Sequence, residues 1–332
     1  MDGTFRRRAG FTLTELMIAV GILVIVVAAV MQSFVVQNRA YTVTDQVIEA
    51  QQSLRAVAWL LERDARMTGF MVPEAAALCA IDDTNGPDTV WFTDADALDP
   101  TGQSRPALGA EVLGGYSAGT GGKALLVDDP VLDRTGAGAG AFYDNGTDFQ
   151  VGGGAIVVDA DDPGRGASCG IVTDVDGNTV SVDMLASFGA AGIGSRLILV
   201  PAHVYQVDLA PAEPQLLRNG RPIATGVEDL QLAFFFDQDR DGQIDRPDEA
   251  NGELPGAAGA DEYASNGYDN RDLREVRINL VTRTRAPDRE FRVGQFQATE
   301  NRVAPAGNDG YRRRVQTSTV KLRNVGYRGT AT

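Results

Sequence analysis

The chain has 332 residues, of which 45 are Asp or Glu and 30 are Lys or Arg, so its formal net charge is -15. This length allows one large domain or two small ones. The acidic balance argues against a protein that binds nucleic acid or an anionic membrane surface, because both need a basic protein surface.

The first element is an apolar stretch that follows three arginines, Arg6 to Arg8, and extends to about Val36. An apolar run of about 20 residues can cross a bilayer as a helix. The arginines predict that the N-terminus stays in the cytoplasm and that the rest of the chain is exported. Glu15 lies near the start of this helix, and a carboxylate in hydrocarbon is costly unless a cation pairs with it.

The order of these features differs from that of an ordinary secretory signal. Such a signal has its small-residue cleavage site after the apolar core. Here Gly10 and Phe11 lie before the core, so cleavage between them would retain the hydrophobic helix. The simplest alternative is a signal anchor that carries a stray glutamate.

The basic leader, Gly10, Phe11, Glu15 and the apolar helix together resemble the class III leader of type IV prepilins and pseudopilins. The resemblance implies that a prepilin peptidase removes residues 1–10 and that Phe11 is then N-methylated. It also implies that Glu15 pairs with the N-terminal amine of a neighbouring subunit and so sets the register of a helical filament.

The helical pattern continues beyond the apolar stretch. Apolar residues recur at spacings of three and four, which predicts one apolar stripe on a helix. These residues are Val43, Val47, Ala50, Leu54, Val57, Leu61 and Ala65. The helix is expected to stop near Gly69, since Pro73 prevents its continuation. By the resemblance to pilins, residues 11–36 lie in the membrane or filament core, and residues 37–69 pack on a globular sheet. A soluble coiled coil is the alternative for the second segment.

Residues 70–332 are predicted to form one exported, β-rich globular domain. Its first part, 73–154, has the composition of a loop-rich insertion with two short strands, at Val90–Phe92 and Ala124–Val127. From residue 155 onward, apolar or alternating runs separated by Gly, Asn and Asp turns predict antiparallel strands. The predicted fold class is therefore α+β and type IV pilin-like, with a long N-terminal helix packed on an antiparallel sheet and with loop-rich insertions.

Three segments of the second half, Gly226–Leu232, Glu275–Thr284 and Thr317–Asn324, resemble large minor pilins of the PilW type. The family implies a subunit that helps other minor pilins to start pilus assembly and that lies at the pilus tip. Its implied partners are the prepilin peptidase, other minor pilins, the major pilin, a tip adhesin and, before assembly, the inner membrane. A minor pseudopilin of a type II secretion system and a membrane-anchored, calcium-dependent adhesin are the alternatives.

The cysteines and the histidine limit the chemistry of the domain. Cys79 and Cys169 are the two cysteines, and in an exported domain such a pair predicts a disulfide, with two free thiols as the alternative. His203 is the single histidine, which argues against a zinc site and a Ser-His-Asp triad. We therefore expect a protein that is not an enzyme.

An acidic loop between residues 237 and 248 is the sharpest chemical motif. Its Asp-x-Asp-x-Asp-Gly pattern can wrap hard oxygen ligands around one Ca²⁺ ion, which takes six to eight oxygens. Pro247 argues against the exit helix of an EF-hand, so the motif predicts an isolated structural calcium loop. A solvated acidic loop that binds no ion is the alternative. The candidate ligands are Asp237, Asp239, Asp241, the backbone carbonyl of Gln243, Asp245 and Asp248.

Overall fold

A computed structural model shows one long helix and thirteen strands among the residues that it describes. The described residues are 11–70, 72–83, 85–93, 110–127, 149–177, 179–192, 194–237, 244, 270–288, 291, 299–300, 302, 307 and 309–325. The chain divides into two compact units, residues 1–49 and residues 50–332.

The helix α1 spans Leu13–Met67 and has 55 residues, as its apolar pattern predicted. Gly69 follows it with a φ of +77°, and a Cβ at this position would lie 2.6 Å from Cγ2 of Val325. Both the backbone angle and the lack of space therefore require glycine where the helix ends. The side-chain amide of Asn324 lies 3.2–3.4 Å from the carbonyl oxygens of residues 66–68 and donates to these otherwise unpaired groups.

Ten strands form the larger sheet, and every pair in it is antiparallel. They are β1 Leu78–Ile81, β2 Thr89–Thr93, β3 Ala110–Glu111, β4 Gly121–Leu126, β5 Gly154–Asp159, β6 Ala167–Asp176, β7 Thr179–Ala186, β8 Leu197–Asp208, β9 Gln215–Arg218 and β10 Arg221–Thr225. Their order is β1-β2-β8-β5-β6-β7-β4, while β3 and β9 also pair with β8, and β10 pairs with β9. The central strand β8 is buried over its first nine residues.

A second sheet has three antiparallel strands in the order β11-β12-β13, with bounds Val227–Phe236, Leu273–Arg283 and Arg313–Lys321. One face of this sheet packs against α1, because Leu232 and Ile278 lie opposite each other and join Leu61 in one core cluster. From Leu54 onward the predicted apolar stripe of α1 is buried in this core, whereas Val43 and Val47 are only half-buried. The fold class predicted from the sequence is thus confirmed.

A buried polar contact also joins α1 to the larger sheet. Asp64 is only 4% exposed, and its Oδ2 accepts a 2.6 Å hydrogen bond from the Tyr205 hydroxyl. The Arg218 guanidinium donates to the same oxygen from Nη2 at 2.8 Å and from Nε at 3.0 Å. Burial, together with the negative charge of Asp64, raises the pKa of Tyr205 above its usual range, so the hydroxyl keeps its proton and remains a donor.

The segment 73–154 contains more regular structure than its composition indicated. Two of its strands, β2 and β4, match the predicted ones, but β1 and β3 were not predicted. Strand β1 has the sequence Leu-Cys-Ala-Ile and is almost fully buried, so it lacks the alternation that marks a half-buried strand. Strand β3 has only two residues. The strands in the described part of this segment therefore belong to the larger sheet.

Candidate assembly site and its supporting domain

The first turn of α1 is closed by a capping box between Thr12 and Glu15. The Thr12 amide and its hydroxyl each donate a 2.9 Å hydrogen bond to Oε2 of Glu15. In return, the Glu15 amide donates to the Thr12 hydroxyl at 3.3 Å. Each side chain thus satisfies a backbone donor that the start of a helix leaves unpaired. The Thr-x-x-Glu spacing in the sequence is typical of a capping box, a local role of Glu15 that adds to its predicted role in filament register.

The capping box leaves part of the Glu15 carboxylate for another donor. Among the described residues, both contacts go to Oε2, and Oε1 accepts no hydrogen bond. Phe11 directly precedes the capping box and is 91% exposed. Gly10, the residue expected before the cleaved bond, lies outside the described residues. The geometry therefore places a partly satisfied carboxylate beside the residue expected to be methylated.

The apolar half of α1 presents its side chains to its surroundings. Between residues 11 and 36 every side chain is exposed, including Leu16, Ile25 and Phe34. A contiguous apolar surface of this size calls for a non-aqueous environment or a protein partner. By length and composition this helix can cross a membrane. Such a helix is suited to serve as a membrane anchor.

The predicted disulfide between Cys79 and Cys169 is confirmed. The two cysteines lie in β1 and β6, which are four steps apart in the sheet order. At about 4.8 Å per step, a flat sheet would separate these strands by about 19 Å, yet the two Cα atoms are 6.3 Å apart. The sheet therefore curls, and the disulfide joins β1 to β6. The indole of Trp91 is fully buried beside this bond and donates to the carbonyl oxygen of Gly170 at 2.9 Å.

The structure describes one of the six candidate calcium ligands. Asp237 is fully buried directly after β11, and its amide donates to the carbonyl oxygen of Asp272 at 2.7 Å. Its Oδ2 lies 2.9 Å from Nη2 of Arg274, so this oxygen is already engaged by a cation. The other candidates, Asp239, Asp241, Gln243, Asp245 and Asp248, lie outside the described residues. Within the described part of the chain, no group of three or more His, Cys, Asp or Glu residues could hold a metal ion.

The outward face of β11 and β12 carries a buried polar network that the sequence analysis missed. Glu300 accepts from Nε of Arg277 at 2.7 Å and from Nη2 at 2.6 Å, and it also accepts from the side chain of Asn279. Beside it, Arg302 forms an ion pair with Asp229, which is fully buried. The sequence predicted the arginine-rich strand β12. Its acidic partner Glu300 lies some twenty residues away, in a segment whose sequence has no helix or strand periodicity.

A loop between β1 and β2 closes one edge of the second sheet. The Asp88 amide donates to the carbonyl oxygen of Leu230 at 2.8 Å, and its Oδ2 accepts the amide of Leu232 at 2.7 Å. Burial raises the pKa of Asp88 to about 8, against the effect of its two backbone donors, Asp83 and Leu232. Asp88 thus forms hydrogen bonds with the backbone of β11 where a neighbouring strand would otherwise pair with it.

Comparison with known proteins finds family matches for two segments of the chain, one at the N-terminus and one in the C-terminal part. Residues 5–31 match the family model described as the prokaryotic N-terminal methylation motif. Residues 203–324 match the model described as type IV pilus-assembly protein W. No match was found among curated proteins. Among solved structures, a type IV-like pilin from Thermus thermophilus aligns at 12% identity over 83% of this chain and 97% of that one, with a TM-score of 0.32.

The methylation motif at the start of α1 and the helix packed on an antiparallel sheet define a type IV pilin-like protein. Its residues 203–324 are similar to pilus-assembly proteins of the PilW type. Pilins are structural subunits, which agrees with the expectation of a protein that is not an enzyme. The chain also has the apolar helix and prepilin-type motif of a membrane-anchored pilin.

Proposed function

We propose that this protein is a minor pilin that helps to start type IV pilus assembly at or near the pilus tip. The observation that carries the proposal is the Thr12–Glu15 capping box, located beside Phe11 at the start of an exposed apolar helix. The matches to the methylation motif and to the PilW model support it from both ends of the chain. The match to a pilus-assembly family favours the pilus over a type II secretion system.

Two carboxylate oxygens allow Glu15 to act both within its chain and between chains. In the proposed mechanism, Oε2 stays with Thr12 of the same subunit. Oε1 accepts from the methylated N-terminal amine of a neighbouring subunit, which carries the compensating positive charge. Because an unpaired charge in hydrocarbon is costly, only the register that brings these groups together is stable. The membrane-embedded subunit, with its N-terminus on the cytoplasmic side, is thereby selected for incorporation.

The order of events follows from the location of each segment. A prepilin peptidase removes residues 1–10, and the new N-terminal residue Phe11 is methylated. The helix then waits in the inner membrane until the assembly machinery moves the subunit into the base of a pilus. Residues 50–332 reach the cell exterior at the pilus tip with the other minor pilins, and the major pilin polymerises below them. A tip adhesin is a further partner in this scheme.

Mass analysis of the mature protein tests the processing step. The N-terminal peptide of protein purified from its native membrane should begin at Phe11 and carry one added methyl group. Protein from cells that lack the prepilin peptidase is the control and should retain residues 1–10. A mature chain that begins beyond Val36, or a fully functional one that keeps Arg6 to Arg8, would refute the proposed processing.

We further propose that the acidic loop after β11 binds one structural calcium ion. Asp237 is anchored beside Arg274, so its location is fixed by the folded domain. A ligand that binds only the folded state raises the melting temperature. Millimolar calcium should therefore raise the melting temperature relative to EGTA, and Asp241→Ala, which removes an oxygen ligand, should remove most of that shift. The control Asp174→Ala changes an exposed strand residue and should leave the shift intact. Equal melting temperatures with calcium and with EGTA would exclude the site.

A further inference from the structure

The last strand of the second sheet, β13, has one neighbour and one open edge. Over nine residues it pairs with β12, and no other described strand lies on its far side. Unpaired strand edges are templates for pairing with another chain, so natural proteins usually shorten, cover or charge them. The opposite edge of the same sheet is covered, since Asp88 bonds to β11 at Leu230 and Leu232. The β11 edge of this sheet is therefore covered, whereas the β13 edge has no described strand beside it.

The hydrogen bonds to β12 determine which backbone groups of β13 are available. The Leu322 amide donates to the carbonyl oxygen of Arg274 at 2.8 Å, and the Thr284 amide donates to that of Arg312 at 2.9 Å. In an antiparallel pair, hydrogen-bonded and non-hydrogen-bonded residue pairs alternate along the strand. In the register of β12 with β13, residues 314, 316, 318 and 320 therefore bond to β12.

The intervening residues direct their amides and carbonyls to the open edge. These residues are Val315, Thr317, Thr319 and Lys321, and they extend over about 20 Å. Their side chains are exposed as well, at 41% for Val315 and 82% for Lys321. An added strand would thus find unpaired hydrogen-bonding groups over about seven residues of its length.

The basic residues around this edge favour an acidic partner strand over a second copy of the same chain. Residues 311–325 contain five Lys or Arg and no Asp or Glu, within a chain of net charge -15. Arg313 already pairs with Glu228 and Asp309. Lys321 pairs with Glu275 at 3.2 Å, so these two basic charges are compensated within the chain. Arg314 and Arg323 are exposed and form no ion pair among the described residues. A second copy would bring the same arginines to this edge, and like charges across a strand pair are destabilising, so the edge favours an acidic strand.

We propose that the open edge of β13 accepts an extended, acidic segment of another protein chain as an added strand. The backbone groups of residues 315–321 would supply the affinity, and Arg314 and Arg323 would select the charge of the partner. The proposal goes beyond the proposed function and does not depend on leader cleavage, methylation or polymerisation. A failure here would therefore leave the pilin assignment standing.

A substitution that removes a single amide tests the proposal. Thr319→Pro deletes an amide that faces the open edge, a position where proline is tolerated because the ladder to β12 stays intact. Thr319→Ala is the matched control, since it keeps the amide and shortens the same side chain. The probe is a capped nonapeptide that alternates glutamate with valine and threonine, titrated into the full-length protein in detergent micelles. We expect Thr319→Ala to bind like the unmodified protein and Thr319→Pro to bind at least tenfold more weakly.

Amide hydrogen exchange gives an independent readout of the same contact. The peptide should slow exchange at Val315, Thr317 and Thr319, while residues 316 and 318 are already protected by β12. A peptide with lysine in place of glutamate should bind more weakly, and added salt should reduce the difference. Equal binding by Thr319→Pro and Thr319→Ala, or by the two peptides, would overturn the proposal. No binding at about 1 mM peptide, a concentration that half-saturates an interaction with a Kd of about 1 mM, would also overturn it. Self-association that Thr319→Pro abolishes would assign the edge to a second copy instead.

Discussion

Replacement of Glu15 by alanine is expected to reduce incorporation into pili at least a hundredfold without preventing membrane insertion. The substitution removes the capping contacts with Thr12, which cost about 1 kcal/mol when lost. It also leaves the amine of the neighbouring subunit without a counter-charge in hydrocarbon, which costs several kcal/mol more. Since each 1.4 kcal/mol is a factor of ten, the second effect dominates. Immunoblots of sheared pili and of inner-membrane fractions would measure the two quantities separately.

Glu15→Gln separates the charge of this residue from its role in the capping box. Glutamine at this position can still accept from Thr12, because glutamine and glutamate both occur in capping boxes. If the charge sets the register, Glu15→Gln should fail in assembly nearly as completely as Glu15→Ala. Normal incorporation of the glutamine variant would show that the cap alone is sufficient, and normal incorporation of the alanine variant would refute the assembly role of Glu15.

Loss of the disulfide is expected to have the largest effect on the stability of the globular unit. The bond joins residues 90 positions apart in the sequence. For a closed loop of about this length, the chain-entropy model predicts a stabilisation of about 4–5 kcal/mol. Cys79→Ala combined with Cys169→Ala should therefore lower the free energy of unfolding by about that amount. Small domains have only about 5–15 kcal/mol in total, so urea unfolding would detect the change easily.

Reduction of the unmodified protein is the matched control for the double variant. A reductant breaks the cross-link but leaves both sulfur atoms in the core, so it isolates the effect of the covalent bond from that of the lost side chains. The reduced protein should unfold at a lower urea concentration than the oxidised protein, and the double variant should not respond to the reductant. If reduction leaves the unfolding midpoint unchanged, the bond contributes no stability.

Local patterns in the sequence were sufficient to predict the N-terminal helix and the leader that precedes it. The apolar stretch, the spacing from Gly10 to Glu15 and the stripe from Leu54 to Ala65 each lie within a short segment. Both the period of a helix and the order of leader, cleavage site and apolar core depend on residues that are close together in the sequence. Such local features can therefore be predicted without knowledge of the tertiary structure. For the same reason, hairpin strands with clear turns were recognised, whereas the buried strand β1 was not.

Tertiary structure alone decided which distant residues meet. It brought Asn324 to the end of α1, Asp88 to the edge of β11 and Arg302 to Asp229. The disulfide between Cys79 and Cys169 was expected from the sequence, but the curl of the sheet that brings the two cysteines together was not. It also decided that, within the described part of the chain, β13 has no strand on its outer edge, whereas Asp88 covers the edge of β11. Each of these outcomes depends on how sheets curl and on which strands become neighbours. The partners are far apart along the chain, so no local period encodes their contact, and only the packed core selects it.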